Sequence, residues 1–177
     1  MNHTPARRRL LSHLWSGALA TSLVLGLSAC GFALRQPPKM PFATISLSNF
    51  NSTSPLAGEL AQALEASGVD VVEPPVADIT RHVILEALVD GRDQLVVSST
   101  SSAQVRELGL RTRFTFRLLK ADGSVLIPAT ELSLSRELTY NEQDALAKDS
   151  ESAALHRAMQ TDIVSQTLRR LAAAPVR

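Results

Sequence analysis

Between residues 107 and 118 the chain alternates with a period of two. Leu108, Leu110, Phe114, Phe116 and Leu118 take even positions, and Glu107, Arg111, Arg113, Thr115 and Arg117 take odd ones. Successive side chains of a strand point to opposite faces, so this run is a strand with one buried and one wet face. Asp122-Gly123 supplies a turn, and Leu126, Leu132, Leu134 and Leu138 carry the even-position pattern onward. An antiparallel hairpin is predicted, and its dry face needs a covering layer.

Two segments have the period that such a layer requires. Ser54-Pro55 combines a capping serine with a proline at the first helical position, Leu56, Leu60, Ala63 and Leu64 follow at helical spacing, and Gly68 suits a left-handed cap. Near the C-terminus Asn141 can cap, Glu142 and Asp144 suit the positive end of a helix dipole, and Arg169 and Arg170 suit its negative end. Leu155, Met159, Ile163, Leu168 and Leu171 form the apolar stripe of this second, longer helix. The first helix is flanked by short β-type runs at residues 42–47 and 69–72, which suggests neighbouring strands with the helix on their face. In residues 82–89, Val83, Leu85, Ala87 and Val89 share one parity, and Leu95, Val96 and Val97 resume the run after Asp90-Gly91-Arg92. A bulge or a hairpin fits that break; one long bent strand is favoured, because glycine inside a strand pattern is a bulge signal. Residues 98–103 are small and polar, as in a reversal. The expectation is an α+β fold: two helices packed on one face of a roughly four-stranded, mostly antiparallel sheet, a two-layer sandwich spanning residues 42–172.

The N-terminus reads as a leader. Arg7, Arg8 and Arg9 precede an apolar stretch from residue 10 to 27, and Leu27-Ser28-Ala29-Cys30 has small residues before a cysteine. That is the pattern of a lipoprotein signal peptide, residues 1–29, with the mature chain acylated at Cys30. Ser12, His13, Ser16, Gly17, Thr21 and Ser22 interrupt the apolar stretch, which argues against a stable span of about 20 residues. Cys30 is the only cysteine, so no internal disulfide can form, and acylation is the best use of that thiol. Gly31 rather than aspartate follows it, which by analogy with bacterial sorting favours the outer membrane. Residues 30–41, with Pro37, Pro38 and Pro41, read as an extended tether, and residues 173–177 as a frayed tail. Losing three arginines with the leader turns the formal charge of +1 into −2, and no concentrated basic face points to nucleic acid.

Catalytic patterns are missing. His82 and His156 have no metal-ligand spacing, residues 98–102 offer serines without a nucleophile turn or a base, and Asp90 and Asp93 read as solvated turn residues. A non-enzymatic binding or structural protein without cofactor or metal is expected. Its candidate anion contacts are Arg111 and Arg113 on the wet strand face, where Arg117 also points, together with Lys148 at the start of the long helix. Cross-strand pairing of those arginines with Glu131 and Glu137 is the plainer alternative.

The mature chain resembles the LPS-assembly lipoprotein family LptE. The resemblance rests on Cys30-Gly31-Phe32-Ala33-Leu34-Arg35, on the helix, glycine and valine pair of residues 56–72, on Ser135-Arg136 and Tyr140-Asn141, on Leu146-Ala147-Lys148, and on Glu151, Met159, Asp162 and Leu168-Arg169-Arg170-Leu171. It implies a lipid-anchored outer-membrane protein that plugs the β-barrel LptD one to one, helps assemble it and engages lipopolysaccharide. In the family a lysine of the Leu-Ala-Lys motif and a basic residue at the tip of the central hairpin are associated with lipopolysaccharide. Lys148 matches the first; residues 98–103 carry no charge, and Arg92 and Arg106 are the nearest counterparts of the second. A lipoprotein acting as a scaffold or amphiphile carrier without a barrel is the alternative, although few aromatics are present to line a cavity.

Overall fold

The computed structural model describes residues 38–176 apart from 77, 78, 100, 102 and 103. The leader, Cys30 and most of the proposed tether lie outside the described residues. In chain order the elements are β1 (Thr44–Ser48), α1 (Pro55–Ala66), β2 (Asp70–Val71), β3 (His82–Ser99), β4 (Val105–Lys120), β5 (Val125–Thr139), a 3-10 turn (Glu142–Asp144) and α2 (Ala145–Ala172).

The ends of α1 form for local reasons. Ser54 accepts a hydrogen bond from the Ala57 N–H at 3.1 Å, and Pro55 opens the helix. Gly68 adopts φ 78°, where a side chain would be strained, and Val69 N–H returns to Leu64 O at 3.1 Å. This tight exit turns the chain directly into β2.

The sheet order is β2-β1-β3-β4-β5. It has five strands where about four were expected, and it is mixed: β1 runs parallel to both β2 and β3, while β3, β4 and β5 are antiparallel. The parallel pairs follow from topology, because α1 carries the chain across between β1 and β2. β2 counts as a strand on two residues.

β3 is the single long strand that the sequence favoured, but its first irregularity lies between Ala87 and Val89, not at Gly91. The extra residue, Leu88, reverses the parity. Val83, Leu85 and Ala87 are buried toward the helices, whereas Val89, expected beside them, is exposed. Beyond the bulge the even residues of β3 lie opposite the even residues of β4, Arg92 facing Thr112 and Gln94 facing Leu110.

Both helices pack on one side. The main cluster joins Leu60 and Leu64 of α1 with Ile163 and Leu171 of α2 over Ile45, Leu85, Phe114, Phe116 and Leu118. Phe114 stacks with Phe116 at 5.2 Å and with Phe50 at 5.8 Å between ring centroids. A second, smaller cluster of Leu108, Leu110, Leu138 and Met159 lies under α2 alone. Past the end of α2 the chain keeps contact with the core as far as residue 176. Ala174 is buried and donates to Leu171 O at 3.1 Å, and Val176 packs on the main cluster. Apolar side chains there gain more from the core than the ends gain in freedom.

Candidate functional site

The face of the sheet away from the helices has two different halves. Along β1 and the start of β3 it is dry. His82 and Ser46 are almost fully buried there. Ser46 Oγ donates to Val72 O at 2.7 Å, which leaves it to accept from His82 Nε2–H at 3.3 Å, while His82 Nδ1 accepts from Thr44 Oγ1 at 3.0 Å. His82 is therefore the neutral Nε2–H tautomer, and burial lowers its pKa from 6.5.

Along β3, β4 and β5 the same face is wet. Arg111, Arg113 and Arg117 share it, as their parity predicted. Their acid partners are not Glu131 and Glu137, however: Arg113 binds Asp93 at 2.9 Å and Arg117 binds Glu86, both on β3. The register places Glu86 directly across from Arg117, while Asp93 sits across from Arg111 and reaches Arg113 diagonally; Glu131 and Glu137 of β5 face Thr115 and Gly109 instead. Arg111 is exposed and has no side-chain partner among the described residues. It borders a groove of about 460 Å³ that crosses the three strands, lined by Leu95, Val97, Gly109, Ser135 and Glu137. The groove is open because position 109 is glycine: a Cβ there would come within 2.9 Å of Val97 Cγ2. An apolar floor with one free guanidinium at its rim can hold an amphiphile bearing phosphate or carboxylate.

The other expected contacts are dispersed. Arg92 faces the helices, not Arg111, because of the parity change at Leu88, and its guanidinium donates to Gln160 Oε1. Gln160 in turn donates to Glu59 Oε2 at 2.6 Å and to Pro55 O at 3.2 Å, and Thr161 binds Glu59 at 2.7 Å. Nearby, Thr112 Oγ1 lies 3.0 Å from His156 Nδ1, and burial, then the charge of Arg92, lowers the His156 pKa from 6.5. This network joins α1, α2 and β3, and neither its glutamine nor its threonine has a sequence signature. Arg106 lies near the hairpin tip, exposed and without a side-chain partner among the described residues. Its carbonyl accepts from Tyr140 N–H at 2.8 Å, and it borders a polar hollow shared with Asn141 and Gln143. Lys148 continues the inward line of Leu155 and Met159 on α2. Its side chain is 23 % exposed and pairs with Glu151 at 2.9 Å. Among the described residues no three His, Asp or Glu side chains gather as a metal site, and no helix is long and apolar enough to cross a membrane.

The lipopolysaccharide-assembly family LptE matches residues 42–171, which span the whole described sheet and nearly all of α2. The chain belongs to the LptE family. That membership implies the role of a lipoprotein of lipopolysaccharide assembly. Its fold is similar to that of uncharacterized lipoprotein B from Nitrosomonas europaea, with 28 % identity and a TM-score of 0.67 over 81 % of this chain and 91 % of that one. A minor lipoprotein of Acinetobacter baumannii (20 % identity, TM-score 0.63, 77 % and 96 % covered) and rare lipoprotein B of Shewanella oneidensis (19 %, 0.62, 73 % and 94 %) share the fold. No curated protein matches the chain. The basic candidates occupy four places: Arg111 and Arg113 on the open sheet face, Arg106 near the hairpin tip, Lys148 on the first turns of α2, and Arg92 in the network facing the helices.

Proposed function

We propose that this chain is anchored in the outer membrane through acylated Cys30, plugs the lumen of the β-barrel LptD one to one, helps that barrel assemble and contacts lipopolysaccharide in transit. The observation that carries this reading is the wet half of the sheet. A face of fixed ion pairs, a free Arg111 and an open groove suits the polar interior of a large barrel, where a plug is surrounded and water is shared. Of the five candidate contacts, Arg111 and Arg106 are free to meet a lipid phosphate; Lys148, Arg113 and Arg92 would first exchange their present partners. The folded domain starts close after the tether, so two or more acyl chains on Cys30 would hold it durably at the membrane.

The test is a mild-detergent pull-down of the tagged mature protein from its own envelopes. One large β-barrel at near-equal stoichiometry is expected. Recovery of the lipoprotein alone, under conditions that preserve other envelope complexes, would sink the plug reading. With the complex in hand, Arg111→Glu should lower retention of lipopolysaccharide by about tenfold, the scale of a lost charge-assisted contact, while Glu131→Gln should leave it unchanged.

A further inference from the structure

Among the described residues the sheet has two long stretches of strand edge with no strand beside them, and they are built differently. β5 carries Pro128, which has no N–H to offer, and exposes Glu131, Arg136 and Glu137. Prolines and charges are the means by which proteins stop an edge from pairing with another chain. The opposite end of the sheet, β2, is guarded by its shortness.

The other long edge belongs to β3. β1 covers it only as far as Glu86, and Asn49 Nδ2 and Ser54 Oγ extend the cover to Ala87 O and Asp90 Oδ2. From residue 91 to 99 the outer side of β3 has no backbone partner among the described residues. Proline and outward-facing charge, the guards used on β5, are absent here; the edge is regular from residue 91 to 96 and irregular beyond, with register shifts between Val96 and Ser98 and between Ser98 and Ser99. Arg92 is turned to Gln160 and Asp93 to Arg113. Residues 94–99, Gln-Leu-Val-Val-Ser-Ser, contain neither charge nor proline. Leu95, Val96 and Val97 are exposed by 60 %, 57 % and 54 %, so apolar surface is offered on both faces of one strand.

We propose that the outer edge of β3 at residues 91–99 is a strand-addition site whose occupant is an extended segment of the partner barrel's chain. An edge presents alternating N–H and C=O groups at the strand repeat, and another backbone is the ligand that answers both along its length. An added strand would set alternate side chains beside Leu95 and Val97 on the groove face and beside Val96 on the other. The segment is therefore apolar and poor in charge. The identity of the occupant rests on the plug reading above; the unguarded edge does not.

Amide hydrogen exchange on the free mature lipoprotein and on its purified complex with the barrel tests this. Residues 91–99 should exchange about tenfold or more slowly in the complex, with residues 129–137 of β5 unchanged. Leu95→Lys with Val97→Lys, both at exposed positions, should cut barrel co-elution by about tenfold, while Ala129→Lys with Ser133→Lys on the guarded edge, outside the groove, should not. A complex in which residues 91–99 exchange as in the free protein overturns the proposal and leaves the plug reading standing. Protection in the free protein, together with a doubled mass by light scattering, makes the occupant a second copy and also overturns it. Failure to form any complex removes the plug reading and this occupant with it.

Discussion

The two ends of the sheet use the same strands and are closed in opposite ways. At the base, β1 and the beginning of β3 are covered by both helices on one face, and His82 and Ser46 are buried on the other. At the far end β3, β4 and β5 run on under α2 alone, with a small cluster of Leu108, Leu110, Leu138 and Met159 on one face and ion pairs and an open groove on the other. The base has the burial to hold the fold. The far end keeps the surface that a partner or ligand can reach, as expected where function is placed on the less covered part of a rigid scaffold.

The largest effect should come from emptying the base. Phe114→Ala, which removes a ring stacked between two others, should cost about 3–5 kcal/mol in urea unfolding. Leu110→Ala in the far cluster should cost about 2–3 kcal/mol, because fewer neighbours are fixed around it and the site can relax. Equal losses would mean that the far end is as firmly closed as the base. Next comes the groove: Gly109→Ala should destabilise by about 1–2 kcal/mol through its clash with Val97, and Val97→Ala should relieve most of that in a double-mutant cycle. Additive effects would show that the two residues do not meet.

Acid should weaken both ends through their histidines. Each has a folded-state pKa below the unfolded value of 6.5, so the unfolded chain binds more protons as pH falls. The stability tied to His82 and His156 is complete above 6.5 and is lost as pH drops from 6.5 through the lower folded values. The double variant His82→Gln, His156→Gln should flatten the stability profile as pH falls below 6.5; an unchanged slope would mean that carboxylates govern it. Smallest of all, Leu95→Ser should change stability by no more than about 0.5 kcal/mol, since that side chain is mostly exposed in the free protein.

Much of the base was legible in the amino-acid order. Residues 56–68 have a capped helix with its own stop, and the even positions of residues 108–118 mark the buried face directly. The site was less legible. The parity rule put Arg111, Arg113 and Arg117 on one face, but the choice of Asp93 and Glu86 over Glu131 and Glu137 depends on register, which alternation alone does not set. The direction of Arg92 was not legible at all: Leu88 turns the residues from Val89 to Val96 to the other face, and neither leucine nor its neighbours advertise a bulge.

What the amino-acid order determined by itself was local: where each helix begins and ends, which strand positions are dry, and which residues carry a fixed positive charge. These follow from propensity, capping and period, whose range is a few residues. The tertiary structure alone decided the strand order β2-β1-β3-β4-β5, the neutral tautomer of His82, the network from Arg92 through Gln160 to Glu59, and the edge of β3 that no element covers. Each of these depends on partners tens of residues away, and their approach is governed by how the layers pack.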